Sequence, residues 1–410
     1  MGSRRVLHSA SRGVALCAAA VLLTTATWAA DTTKLIYSFA GDNDGEYTDT
    51  ELAIDAAGNL FGTSVQGGAF GGGTVFQLSP AGVHTVLYNF TGGRDGGEPY
   101  KGVTLDAQGN LYGTAVTGGG GSCEGGCGVV FELKNSGGSW DFSVIHTFSG
   151  ADGSGPGSPV TIDKHGNVYG TTPTGGANGV GVVYQLKPDG TGRWRRHVIY
   201  TFTGGADGQG GSAGRLLVND LGHLFGACTV GGVNGLGTVY ELAPNPGQWR
   251  FTTLYAFKGA RDGALPYGGL LFGKSGHLYG TTYYAGTHGL GTVYKLTHHR
   301  NGTWTHAVLY SFKGGSDGAS PISNVVADAT GSLYGTTSDG GSPACSCGVI
   351  FKMSQGPKGR WSESVVYRFP GTPNPGFAYN GMVGDDAGNF YGATVHGGSS
   401  NDGAIYKFTP

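Results

Sequence analysis

The sequence predicts an all-β fold, a single seven-bladed β-propeller with four strands per blade. Three observations predict it. First, one motif, Asn-Leu-Tyr-Gly-Thr or a near relative, recurs at 59–63, 110–114, 167–171, 223–227, 277–281, 332–336 and 389–393. Its glycines, Gly62, Gly113, Gly170, Gly226, Gly280, Gly335 and Gly392, lie 51 to 57 residues apart, a period that fits a propeller or another array of short strands. Second, the chain holds 83 glycines yet keeps an apolar fraction of 38%, which suits many strands joined by glycine turns rather than disorder. Third, strand-like runs come in sets of four, and the member missing from the last set stands near the start of the chain.

The elements follow in order. Residues 1–30 read as a signal peptide: Arg4, Arg5 and Arg12 flank an apolar run at 14–23, and Thr27, Ala29 and Ala30 offer small residues for cleavage. The propeller is expected over 31–410. Each repeat opens with a short innermost strand, such as 103–106, that ends in a turn. The turn keeps a glycine in every copy (Gly58, Gly109, Gly166, Gly222, Gly276, Gly331, Gly388), as a position at positive φ would require. The recurring motif forms the second strand. A glycine-rich loop leads to the third, at 74–78, 129–133, 182–186, 238–242, 292–296, 349–353 and 404–408. In repeats two to six a hairpin then brings in Trp140, Trp194, Trp249, Trp304 or Trp361. The fourth strand ends in an aromatic, a variable residue and Phe, as in Tyr88-Asn89-Phe90. First, second and third strands occur seven times, but fourth strands follow only six of those sets. The run 34–39 is therefore expected to pair with 404–408 and close the ring, which leaves no open sheet edge.

Composition excludes some functions. Net charge is −2, 13% of residues are charged, and no long basic run follows residue 30, so no nucleic-acid partner is expected. The apolar run near the start is too short for a membrane span, and no transmembrane segment is expected in the mature chain. In an exported protein Cys123 and Cys127 suit a loop staple, whereas Cys345 and Cys347 would close a very small ring. Zinc held by these four is the alternative, although their spacings match structural zinc sites poorly. Cys228 reads as a small buried apolar residue.

The repeats resemble the GloVer tandem repeats of exported bacterial proteins of the choice-of-anchor type. The resemblance is carried by Leu111-Tyr112-Gly113-Thr114 with Asp106 before it, by Leu278-Tyr279-Gly280-Thr281-Thr282, by Gly291-Thr292-Val293-Tyr294-Lys295-Leu296 and by Leu309-Tyr310-Ser311-Phe312-Lys313-Gly314-Gly315. It implies export and no settled enzymatic activity. Such proteins often carry a C-terminal surface anchor; none is seen before Pro410, so an extracellular or periplasmic monomer is expected. A looser resemblance runs to NHL and gluconolactonase-like propellers, through Ile162-Asp163, Gly166-Asn167 and Val168-Tyr169.

Fourth-to-first connections and second-to-third loops share one face, here called the top. An Asp-Gly step recurs there at Asp44, Asp95, Asp152, Asp207, Asp262 and Asp317. It reads as an Asx-type turn that sets the loop. A calcium site is the alternative, at Asp42, Asp44 and Glu46 where acids crowd one loop. The triplets before each first strand differ from repeat to repeat and should ring the channel mouth. Ligand selection and neutral drift both explain such variation. Candidate ligand-binding residues at the mouth are Asp49, Glu51, Tyr100, Lys101, Arg215, Tyr267 and Tyr379, joined by Tyr284, Asp339 and His396 from the second-to-third loops. The tyrosines could stack on sugar rings or peptide side chains. His396 near Asp339, or Glu51 near Arg215, are the pairs an enzyme reading would use, but no catalytic motif accompanies them. His223 and His277 read as turn residues on the opposite face. The expected function is thus an exported propeller that binds carbohydrate or protein. The alternatives are a secreted lyase or hydrolase, calcium-dependent in one form, and a structural component of the cell envelope.

Overall fold

The computed structural model describes residues 32–211 and 214–410. The expected signal peptide and Ala213 lie outside them. Seven four-stranded antiparallel sheets form the blades of an all-β propeller. Blade one runs from the axis outward as Ala53–Ile54, Leu60–Ser64, Thr74–Leu78 and His84–Asn89. Innermost strands are only two or three residues long, as in Thr161–Ile162 and Val103–Leu105, because the chain must turn at the crowded centre. Blade seven takes Val383–Gly384, Phe390–Thr394 and Ala404–Thr409 from one end of the chain and Thr32–Ser38 from the other. Thr32 stands opposite Thr409 and Ser38 opposite Ala404, so the ring closes as expected.

The core lies between blades rather than within them. The Phe that ends each fourth strand is fully buried and meets, edge-on, the third-strand aromatic of the next blade. Phe90 and Phe131 have centroids 5.2 Å apart, and Phe148 and Tyr184 are 5.1 Å apart. Phe39, from the closing strand, repeats this on Phe76 at 5.2 Å and seals blade seven to blade one. The tryptophans do the same on the opposite face. Trp140 packs on Phe61 and Trp194 on Tyr112, at 5.8 and 6.0 Å. Such ring pairs are worth about 0.5–1.5 kcal/mol each beyond area burial.

This packing explains the recurring Gly-Thr. A Cβ at Gly170 would lie 2.2 Å from Tyr184 Oη, and one at Gly113 would lie 2.4 Å from the Phe131 ring. The third-strand aromatic thus lies across the glycine of the strand beside it, and any side chain there would displace it. The threonine staples blade to blade. Thr281 Oγ1 donates to Ser323 O at 2.7 Å, and Thr336 Oγ1 donates to Ala378 O at 3.1 Å.

The Asp-Gly steps are fold devices, but not the local turns expected. Each carboxylate reaches backward. Asp207 accepts from Thr203 N at 2.8 Å and Tyr200 Oη at 2.9 Å, four and seven residues earlier. Asp317 does so with Lys313 N and Tyr310 Oη, both at 2.7 Å. The loop doubles back over the strand it leaves, so those donors lie nearer than the ones ahead. Cys123 is bonded to Cys127 and Cys345 to Cys347, while Cys228 is free and buried.

Candidate functional site

The mouth is built by the variable triplets, and its charged members pair with each other. Lys101 of blade two lies 2.8 Å from Asp49 of blade one and donates to Asn380 Oδ1 of blade seven at 3.2 Å. Asn380 in turn donates its amide to Asp49. Arg215 of blade four spans the axis. It donates to Glu51 of blade one at 2.9 Å, to Val160 O of blade three at 2.7 Å and to Thr104 of blade two. Glu51 and Arg215 also wall a channel cavity of about 300 Å³, with Leu52, Val103, Asn324 and Met382. Four predicted site residues are therefore brought together, but as two internal ion pairs across the mouth.

The triplets also show why several members are small. A Cβ on Gly268 would come within 2.4 Å of Ser323 O, and one on Gly102 within 2.1 Å of Glu51 O. The inner strands approach so closely that only glycine fits.

Of the other predicted residues, Tyr267 and Tyr284 are the exposed ones, at 40% and 48%. Tyr283 bridges them, its ring 5.7 Å from Tyr267 and 4.4 Å from Tyr284. Tyr100 and Tyr379 are half-buried. Burial, then the nearby carboxylates of Asp339 and Asp49, raise the Tyr379 phenol above its ordinary range and keep it a donor. The expected pairing of His396 with Asp339 is not formed. The His396 ring sits between Tyr47 and Phe377, 5.6 Å from each, and Asp339 accepts from Ser338 Oγ at 2.8 Å.

The calcium expectation finds little geometric support. Asp44 is spent on Ala40 N and Tyr37 Oη, and Glu46 accepts from Asp42 N at 3.1 Å. The loop does gather charge: burial and then Glu46, Asp44 and Asp42 raise the Asp402 carboxyl. Yet among the described residues no group of three or more His, Cys, Asp or Glu is arranged to hold a metal ion.

A groove of about 380 Å³ opens on the top face beside Tyr267. It is lined by Ser158, Thr171, Pro173, Thr174, Gln209 and Thr229 with several glycines. Apart from Tyr267 and Ser158, a member of one of the variable triplets, these residues were not among the predicted site. The signal was a broken pattern. Four Asp-Gly steps continue to Pro99, Pro156, Pro266 and Pro321, whereas blade four has Gly211 there. Without the proline ring, the loop lies against the Thr171 side chain and leaves the groove open.

The chain is a closed propeller with a mainly apolar groove on its top face, Val230 and Pro173 lining it beside the hydroxyls. The chain belongs to the Gloeobacter/Verrucomicrobia repeat family, whose model matches residues 116–342 and 250–410. No protein of curated function matches the sequence. Among solved structures, a protein from Lactobacillus plantarum is 13% identical over 86% of this chain and 99% of its own, with a TM-score of 0.52, and shows the same fold. A candidate 6-phosphogluconolactonase from Bacteroides fragilis is 15% identical over 78% of this chain and 82% of its own, at a TM-score of 0.49. Among the described residues no helix is long and apolar enough to cross a membrane.

Proposed function

We propose that the chain is an exported binding propeller, with 1–30 as leader and 31–410 as ring, that holds a neutral carbohydrate in the groove of blades three to five. The observation that carries this reading is Tyr267. An exposed aromatic borders a groove whose other polar side chains are hydroxyls and one amide, with no charged group among them. A sugar offers the matching surfaces, a C–H face for stacking and a rim of hydroxyls for hydrogen bonds. Tyr284 extends the aromatic surface through Tyr283. Acid–base chemistry through the mouth carboxylates would need them free to exchange a proton with a substrate. Those of Asp49 and Glu51 are held by Lys101 and Arg215.

Calorimetric titration with a panel of neutral oligosaccharides tests the reading. At least one should bind, and Tyr267→Ala and Gln209→Ala should each weaken it roughly tenfold, about 1.4 kcal/mol, with the melting midpoint unchanged. A panel without binders, or binding indifferent to Tyr267→Ala, would overturn it.

A further inference from the structure

On the face opposite the mouth, the seven first-to-second turns share one design, and one blade breaks it. In six, the residue ending the innermost strand accepts the N–H groups of its own turn. Asp163 Oδ1 takes His165 N at 2.8 Å and Asn167 N at 2.9 Å, while Oδ2 takes Asn167 Nδ2 at 2.7 Å and Tyr169 Oη at 3.0 Å. Asp55, Asp106, Asp328 and Asp385 accept their turn N–H groups in the same way. Blade four has Asn219, whose amide oxygen accepts the same two N–H groups. A carboxylate is still supplied there by Glu241, 2.6 Å from His223 Nδ1.

Blade five has neither. Gly273 stands in the Asp position, His277 in the Asn position and Lys295 where blade four has Glu241. The backbone registers the loss. Ser275 lies in the left-handed region at φ 62°, which no other non-glycine residue of these seven turns does.

What remains is a cavity of about 560 Å³ between blades five and six, against about 400 Å³ at the equivalent place between blades three and four. Trp361 and Tyr279 form aromatic walls, with ring centres 5.9 Å apart. Lys295 Nζ lies 5.7 Å from the Tyr279 ring centre, and Lys274 lines the cavity. His277 Nδ1 is buried without a hydrogen-bond partner. Tyr279 leans onto Gly273, where a Cβ would come within 2.3 Å of its ring, so the ring covers the position that the side chain takes in the other blades. Asp328 lines the far wall, but its own turn occupies it, through Thr330 N and Ser332 N at 2.9 Å and Tyr334 Oη at 3.2 Å. Burial, then the charge of Lys295, lowers the His277 pKa, and burial lowers that of Lys295. Both groups would be relieved by an anion.

We propose that this cavity binds a small organic carboxylate, with the carboxylate between Lys295 Nζ and His277 Nδ1 and the body of the ligand against Trp361. The ligand supplies in blade five the charge that side chains supply in the other blades. The site is separate from the top-face groove in position and in ligand chemistry.

Glucuronate is the probe, titrated into the full chain by calorimetry beside glucose and inorganic phosphate. Glucuronate should bind, and in the Tyr267→Ala chain, whose groove is weakened, glucose should not. The double variant His277→Asn with Lys295→Gln reproduces blade three's Asn167 and Gln185 and should weaken glucuronate at least tenfold with an unchanged melting midpoint. If that variant melts early, Lys295→Gln alone should still show the loss. Tyr267→Ala should leave glucuronate binding intact, which separates this site from the groove. No heat with glucuronate, equal binding of phosphate, or undiminished binding in the Lys295→Gln chain would overturn the assignment.

Discussion

Arg215 and Glu51 come from blades on different sides of the channel and meet at 2.9 Å, with side chains 27% and 15% exposed. One guanidinium thereby ties Glu51, Thr104 and Val160, drawing the inner strands of four blades together. Arg215→Met should destabilise the ring by about 2 kcal/mol, because Glu51 is left desolvated without its partner. The double variant Arg215→Met with Glu51→Gln should recover part of that loss. Urea denaturation of the parent and the two variants checks both statements, and equal stability of all three would refute them.

Glu363 sits beside Asp317 and Tyr310, and burial, followed by the Asp317 charge, pushes its carboxyl up to about 7. The folded chain therefore holds this proton more tightly than the unfolded one. Its contribution to stability is fully present below the unfolded pKa of about 4.5 and is lost as pH rises toward 7. Glu363→Gln should flatten this window and raise stability at pH 8 by about 1 kcal/mol, a figure discounted for partial exposure. Thermal melts of both chains across pH 4–8 provide the measurement; parallel curves would count against it.

Asp207 works in the opposite sense. Its hydrogen bonds from Thr203 and Tyr200 outweigh burial, the largest single cause, and hold the carboxyl below its ordinary value. Its contribution is present above the unfolded pKa and disappears as pH falls through the lower folded one. Asp207→Asn should cost about 1–2 kcal/mol near neutrality and progressively less in acid. A cost that does not vary with pH would show that the charge is irrelevant.

Tyr184 Oη is buried without a partner among the described residues, as are the hydroxyls of Tyr240, Tyr294 and Tyr406. Blades one, two and six place Phe76, Phe131 or Phe351 there instead. Tyr184→Phe should thus be neutral or stabilising by up to about 1 kcal/mol. Gly170→Ala, directly beneath that ring, should destabilise by about 2–3 kcal/mol through overpacking. Melting midpoints moving in the reverse order would contradict this account of the motif.

Removing 32–38 should strip blade seven of its outermost strand and leave Ala404–Thr409 as an open edge. The truncated chain should unfold earlier and associate on concentration. Sedimentation and melting curves matching the full chain would count against a structural role for that strand.

The sequence made the ring legible because the repeat records packing demands that every blade shares. Gly170 beneath Tyr184 and Phe148 against Tyr184 are local rules written seven times. The mouth was harder to read for the opposite reason. Asp49 and Lys101 look like unrelated departures from the repeat until the fold closes, whereas Glu51 and Arg215 can be set near each other from the sequence but not read as an internal ion pair. The two pairs lie 52 and 164 residues apart, and each charge is explained by its partner. The groove left a trace at Gly211 in place of a proline. Blade five's cavity left one at Gly273, Lys295 and His277, but His277 taken singly reads as a turn residue.

The closing strand also sets a timetable. Thr32 and Thr409 pair across nearly the whole chain. At a synthesis rate of roughly 5–20 residues per second, the first strand waits on the order of 20–80 s for its partner to be made. Six blades can form on local contacts meanwhile, but blade seven cannot. An interrupted chain therefore carries an unpaired N-terminal strand, so truncation at one end is exposed as a hazard at the other.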